Sequence, residues 1–295
     1  MDGVVVIDKP AGITSHDVVA VARRALGERR IGHTGTLDPM ATGVLPLACG
    51  RATRLVRFLS ASDKSYVARV RFGVTTDSYD ITGAEVTRTD RQPSRESIER
   101  GLVSLRGEYD QRPPAYSAKR VGGQRAYDLA RRDAPVALEP VRVRVTRADL
   151  DGFEGPTATI ELTCSAGFYV RTFAHALGEL AGTGACLETL RRTRSGEFEL
   201  GQAITIDLLQ DPPTVERAFI PLDRLLPQFP AVRLTEEGRR RVSHGQTVEA
   251  PHVAGQLNGT SAAPWVRIFD AGGRLVALGT GGHVTGALHP SVVLI

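Results

Sequence analysis

Hydrophobic positions along this chain recur with two different periods, and the two kinds of segment are mixed without a regular strand-helix-strand rhythm. Val4 to Ile7 form a short apolar run that predicts a buried strand, broken at Lys9-Pro10-Ala11-Gly12. Thr14 followed by Asp17 has the pattern of a helix N-cap; Val18, Val19, Ala22 and Leu26 then share one face, and Gly27 stops the helix. From Ile31 to Gly50, glycines at 32, 35, 43 and 50 and prolines at 39 and 46 predict a structured loop in place of a regular element. Between Ser65 and Phe72, Tyr66, Ala68, Val70 and Phe72 alternate with Val67, Arg69 and Arg71, as in a half-buried strand with a basic outer face.

Ser94 to Leu105 reads as a helix with Ile98, Leu102 and Leu105 on one stripe. Tyr109 to Val121, with Arg112-Pro113-Pro114 inside it and Gly122-Gly123 after it, predicts an irregular protruding segment leading to a short helix near Gln124 to Arg132. Val141, Val143 and Val145 alternate with arginines, and Ala158, Ile160 and Leu162 alternate with polar residues, so both are strands. Phe173, Leu177 and Leu180 mark a helix ending near Gly182-Thr183-Gly184, with a strand around Arg194 to Leu200. Three prolines make Ile220 to Pro230 a linker. Beyond it come a short helix at Thr235 to Val242 and strands at Gln246 to Glu249, Trp265 to Phe269 and Leu275 to Leu278, a small β-rich module. The class is therefore α+β. A chain of 295 residues has room for two units, expected at 1–226 and 230–295, with an insertion at about 109–135.

Composition narrows the function. No apolar run approaches the roughly 20 residues of a membrane-spanning helix. The N-terminus, with acids on both sides of its apolar stretch and no basic residues before it, is unlike a secretion signal, so the expected location is the cytoplasm. Cys49, Cys164 and Cys186 are odd in number and widely spaced, which predicts neither disulfides nor a zinc site. A formal charge of +4, its surplus carried mainly by arginine, permits a polyanionic partner without demonstrating one.

The chemistry concentrates in Gly32-His33-Thr34-Gly35-Thr36-Leu37-Asp38-Pro39-Met40-Ala41-Thr42-Gly43, where glycines and Pro39 would present Asp38 at a sharp turn. Alone, Asp-Pro is a common structural turn, and no phosphate-binding loop, metalloprotease or nucleophile-elbow motif accompanies it. The segment resembles the signature of TruB-type pseudouridine synthases, and three further blocks resemble that family in the same order: Lys9 to Ser15, Pro114-Ala115-Tyr116-Ser117-Ala118-Lys119, and Cys164 to Thr172 followed by Leu190-Arg191-Arg192-Thr193. Together they are spread over the chain from about residue 3 to about residue 200.

That resemblance implies the pseudouridine synthase fold, a central mixed, mainly antiparallel sheet flanked by helices, with a small PUA-like RNA-binding domain at the C-terminus. It implies isomerisation of a uridine in the T-arm of tRNA, at position 55, by a stand-alone monomer without guide RNA, obligatory protein partner, membrane, metal or cofactor. Asp38 matches the family's catalytic carboxylate, Arg171 the arginine that keeps it ionised, and Tyr66 the ring packed on the target uracil. His33 matches the residue that fills the gap left by base flipping, Tyr169 and Leu190 the walls of the uracil pocket, and Lys9 and Pro10 the support behind the loop. The route (attack at C1′, addition to C6, or removal of a ribose proton) stays open. The arginine-rich strand faces and the segment from Arg112 to Arg132 would meet RNA phosphates. The rival from another class is a non-catalytic RNA-binding protein or tRNA-folding chaperone, disfavoured by the intact Gly35-Thr36-Leu37-Asp38, Tyr66 and Arg171. A guide-dependent synthase of the dyskerin type shares the motifs, and a carboxylate hydrolase lacks its paired acids.

Overall fold

A computed structural model describes residues 1–116, 119–121, 124–125, 138–254, 264–281 and 287–295. The chain opens with β1 (Gly3–Lys9), α1 (Ser15–Ala25), β2 (Ile31–His33) and β3 (Thr42–Cys49), then α2 (Val56–Ser60) and β4 (Lys64–Phe72). A small hairpin, β5 (Val74–Thr76) with β6 (Glu85–Arg88), precedes α3 (Arg95–Ser104) and β7 (Gly107–Gln111). After the two-residue strands β8 (Arg120–Val121) and β9 (Gln124–Arg125) come β10 (Val141–Glu154), β11 (Thr157–Cys164), α4 (Val170–Ala181), β12 (Ala185–Ser195) and β13 (Phe198–Glu199). β14 (Ile204–Thr205), α5 (Pro212–Ala218) and β15 (Ile220–Pro221) complete this half.

The main sheet runs β14-β1-β3-β12-β4-β11-β10-β7, with β2 beside β3, β13 beside β12 and β15 beside β1. Only β1/β14 and β3/β12 are parallel, which makes it mixed and mainly antiparallel. α1 and α4 pack their apolar stripes on one face, burying Val18, Val19, Ala22, Phe173, Ala174 and Leu177 with Val5, Ile7, Leu45 and Leu47. α1 carries the full reciprocal cap between Thr14 and Asp17, and α4 ends at Gly182 in the left-handed conformation.

A second sheet follows, ordered β16 (Ala231–Arg233), β17 (Val266–Phe269), β18 (Leu275–Gly281), β19 (Leu288–Val293), with α6 (Glu236–Ser243) against it. It packs on the other face of the main sheet. Leu275, Leu278, Val292 and Leu294 share one buried cluster with Val4, Val6, Val44, Leu55 and Phe58. Trp265 stands edge-on to Phe58 at 4.7 Å, and Arg51 and Arg54 donate to the carbonyls of Leu294 and Val293.

Several expectations are corrected. Ile31 to Gly50 is not all loop, for β2 and β3 occupy both ends. Val44 to Cys49 is buried throughout between β1 and β12, so this strand reads as an unbroken apolar run that Gly43 and Pro46 disguise. Gly43 is there because a Cβ would stand 2.2 Å from the Arg192 carbonyl. Tyr109 lies in β7, paired to β10 through Val143, and residues 124–125 pair with 120–121 in a hairpin instead of starting a helix. The rest of that expected helix, and Ser117-Ala118, lie outside the described residues. The strand expected at Arg194 to Leu200 instead begins at Ala185 and turns at Gly196, φ +61°. The expected linker is pinned at its start, since Ile220 and Pro221 pair with Val4 and Gly3. Of Gln246 to Glu249, only Val248 forms a bridge, to Leu288.

Candidate active site

The turn between β2 and β3 is held from every side by backbone and side-chain contacts. Asp38 accepts from Ala41 N–H through its own carbonyl at 3.0 Å, and Thr34 N–H donates to Pro46 at 3.1 Å. Ser15, at the start of α1, exchanges hydrogen bonds with both backbone groups of Leu37. Lys9, with no exposed surface at the end of β1, donates to the carbonyls of Pro10, Pro39 and Ala41 at 2.9, 3.2 and 2.7 Å. From β12, buried Arg192 donates to Val44, Gly35 and Thr36 carbonyls. These contacts clamp the backbone on both sides of Asp38 while leaving its carboxylate free to point outward. A third of that side chain remains exposed to a cavity of about 1090 Å³.

Arg171 reaches the carboxylate from the first turn of α4. Its Nε lies 2.9 Å from one carboxylate oxygen and its Nη2 donates to the other at 3.2 Å, a two-point fork that lysine cannot reproduce. The guanidinium also donates to the carbonyls of Ser78 and Tyr116, and Asp80 stands 3.5 Å from Nη1. Asp80 is itself fixed by Ser78 and Thr82. Burial pushes the Asp38 carboxyl above its ordinary value; Arg171 pulls it back, Asp80 pushes it further, and the Arg171 hydrogen bond and Lys9 favour the anion. Burial outweighs the guanidinium in that sum.

Tyr66 is a strand neighbour of Arg192 in the β4/β12 register and forms part of the cavity wall. Burial pushes its phenol up to about 12, against the pull of Arg192, so the hydroxyl stays protonated at neutral pH. Leu190, two residues before Arg192 on β12, faces the same space, as does Tyr169, whose backbone is gripped on both sides by the Gln111 amide at 3.1 and 2.8 Å. His33 stands at the rim, edge-on to His16 with ring centroids 6.1 Å apart, and Gly35 N–H donates to its Nδ1. Burial, His16 and Arg192 all lower its basicity, keeping the ring neutral. Burial pulls Lys9 down to about 8. Lys9 and Pro10 do not line the cavity but sit behind the turn, so the structure brings Asp38, Arg171, Tyr66, His33, Tyr169 and Leu190 together around one space.

Asp80 and Gln111 went unnoticed in the sequence, and Arg192 and Ser15, though inside the family-like blocks, were given no role there. Arg192 carried a readable signal, being two residues from Leu190 and so on the same inward face of a strand, where an arginine is rare without a partner. The outer arginines differ from expectation too. Arg69 and Arg71 face Glu188, Arg142 faces Glu108 and Asp110, Arg144 faces Asp63, and Arg147 faces Asp149 and Glu161. Those strand faces are largely self-neutralised and offer RNA less charge than arginine spacing alone implies. Among the described residues no cluster of His, Cys, Asp and Glu could hold a metal ion, and no helix is long and apolar enough to cross a membrane.

Residues 23–170 match the TruB family pseudouridylate synthase N-terminal domain, and residues 171–227 match the tRNA pseudouridylate synthase B C-terminal domain. The chain is 45% identical to the tRNA pseudouridine synthase B of Solibacter usitatus over the full length of both. It is 38% identical to that of Pseudomonas aeruginosa, covering 95% of this chain and 91% of the relative. Among solved structures it resembles a chain of a Cbf5-Nop10-Gar1 complex, with a TM-score of 0.76 and 26% identity, covering 99% of this chain and 85% of that one.

Proposed function

Because this chain belongs to the TruB family of pseudouridylate synthases and is a tRNA pseudouridine synthase, we propose that it isomerises uridine 55 in the T-arm of tRNA with Asp38 as the reacting carboxylate. One observation carries the residue assignment: the Asp38–Arg171 fork at 2.9 and 3.2 Å, open to a cavity roomy enough for an extruded nucleotide. A stacked uridine must leave its loop before its glycosidic bond can be reached. The overall change then breaks N1–C1′, forms C5–C1′, releases the C5 proton and places a proton on N1. Nothing is oxidised and no group comes from outside, so the chain's own residues suffice.

In this reading Arg171 favours the ionised carboxylate next to the ribose and base. Tyr66 packs on the uracil as a protonated phenol, and Leu190 and Tyr169 close the pocket around it. Neutral His33, at the rim, takes the space that the flipped nucleotide vacates. The enzyme works on tRNA without guide RNA or partner protein, in the cytoplasm, as a monomer. Residues 1–226 form the catalytic unit, with its RNA-gripping insertion at about 109–135, and 230–295 a PUA-like unit that extends the RNA contact.

The test is Asp38→Asn, nearly the same shape but unable to carry charge. Pseudouridine formation in a T-arm hairpin should be abolished, while tRNA affinity stays within about a few-fold, since it rests on phosphate contacts and shape. Near-full turnover by this variant would remove Asp38 from the chemistry.

A further inference from the structure

Tyr79 and His175 lie outside the cavity wall. Tyr79 sits between Ser78 and Asp80, the two residues that meet Arg171 at Nη1, whereas Asp38 is met by Nε and Nη2. Its backbone is left-handed, φ +64°, a conformation that a bulky residue holds only when its surroundings impose it. Backbone bonds between Tyr79, Ile81 and Leu187 tie the turn to β12, but they leave the direction of the Tyr79 side chain undetermined. His175 follows Arg171 by one helical turn on α4, so both side chains leave the same helix face. Its ring lies flat on that of Tyr79, with centroids 4.1 Å apart and planes within 8°. The buried Nδ1 of His175 meets no hydrogen-bond partner among the described residues, so no bond at that atom fixes the ring.

The stack thus joins α4 to the turn beside the place where Arg171 donates to Ser78 and faces Asp80. We propose that the Tyr79–His175 stack is a positioning device for the reaction, fixing the Ser78–Asp80 turn against α4 so that Arg171 stays aligned with both oxygens of Asp38. The proposal rests on Asp38 being the reacting carboxylate. Neither ring touches substrate; both act through Arg171. Among the described residues the charges facing Asp38 are Arg171, Asp80 and Lys9, and of these only Arg171 bonds to its carboxylate directly. When Arg171 drifts, its stabilisation of the anion weakens and the carboxyl protonates at higher pH.

His175→Ala and Tyr79→Gly each remove the stack, and glycine accepts the left-handed backbone without strain, so the second variant keeps the turn's conformation. Tyr79→Phe keeps the ring. Single-turnover rates on a T-arm hairpin, tRNA affinity, melting temperature and carboxyl NMR titration of Asp38 in the free enzyme are compared. The two stack variants should lose roughly tenfold to a hundredfold in rate, the scale of a small misplacement of reacting groups. Their Asp38 titration and acid limb should move to higher pH, with affinity within about twofold of wild type and Tyr79→Phe close to it. The double variant should be no slower than the slower single, as for residues acting as one unit. Wild-type rates with an unmoved Asp38 titration, or losses that multiply in the double variant, would overturn the proposal. The titration needs no substrate, so it reads the stack even if the wild-type enzyme left the T-arm uridine unconverted, a result that would instead sink the substrate assignment.

Discussion

Replacing Lys9 with Met tests whether a buried ammonium holds the Asp38 turn. Methionine has nearly the same length and volume but donates no hydrogen bond. The Pro39 carbonyl keeps the Gly12 N–H at 2.8 Å, whereas the Pro10 and Ala41 carbonyls lose the Lys9 donor. The buried Ala41 carbonyl left unpaired costs about 1–3 kcal/mol, and the Pro10 carbonyl, on an exposed residue that water can reach, costs less. Against this, burial pulls Lys9 from 10.5 to about 8, and roughly 2.5 units at 1.36 kcal/mol each is about 3 kcal/mol of burden that methionine removes. The two effects nearly offset, so net destabilisation should stay within about 3 kcal/mol. Turnover should respond more strongly, falling roughly tenfold to a hundredfold, because Pro39 and Ala41 flank the carboxylate proposed to react.

The pH dependence gives the same argument a second reading. Native Lys9 releases its proton near 8 and the unfolded chain near 10.5; between these values the unfolded state binds more protons, so Lys9 makes stability rise with pH. Lys64, also pulled to about 8, acts in the same direction, and the buried thiols Cys49 and Cys164, pushed to about 12, act oppositely above their ordinary value of 9.0. Those groups are common to both proteins and drop out of the difference. Urea unfolding at pH 7 and pH 9 should therefore show the wild type gaining roughly 1 kcal/mol on Lys9→Met across that interval. Wild-type turnover in the variant, or a stability gap that does not move with pH, would refute the reasoning.

Arg171→Lys keeps the charge but loses the fork and the bonds to Ser78 and Tyr116, so the single-turnover rate should drop about a hundredfold with tRNA affinity nearly unchanged; near-full activity would show that charge alone suffices. If Asp38 reacts as the ionised carboxylate proposed above, burial, which raises its carboxyl, should make activity on a T-arm hairpin disappear, as pH falls, at a higher pH than an ordinary aspartate would give; a limb at the ordinary value would contradict that. Truncation after Leu226 strips Leu275, Leu278, Val292 and Leu294 from Val4, Val6, Leu55 and Phe58, and the shortened chain should melt at lower temperature or aggregate. A soluble truncate with the full-length melting temperature would show that the second sheet is dispensable for the first.

Period-2 and helical patterns were legible wherever one face of an element meets water. β4 and β11 alternate cleanly, and α1 announces itself through Thr14, Asp17 and its apolar stripe. Legibility failed in the middle of the sheet. β3 is buried on both faces and so has no alternation, and its Gly43 answers to a neighbouring strand's carbonyl, a long-range fact that looks locally like a loop residue. β12 failed for a related reason: Thr189, Arg191 and Arg194 break its apolar pattern, yet Glu188 and Asp8 pair with arginines that are far from them in sequence or across strands.

The candidate site shows the same division. Asp38, Tyr66 and Arg171 stand out as residue types whose chemistry a motif can mark, but the arrangement that makes Asp38 usable is distributed over residues whose roles exist only in three dimensions. Lys9 and Arg192 do not touch the Asp38 carboxylate; they bind the carbonyls of residues 35, 36, 39 and 41 around it. Among the described residues Arg171 alone engages the carboxylate, and its own freedom is limited by Ser78, Asp80 and Tyr116, from two separate segments. Buried cations attached to backbone oxygens fix a turn without neutralising the acid it presents, because their hydrogen bonds are spent on carbonyls. A loop built this way can hold one carboxylate at a cavity floor with a single guanidinium as its direct partner. Its charge is then governed by the placement of that one arginine, and its position by the cations behind it.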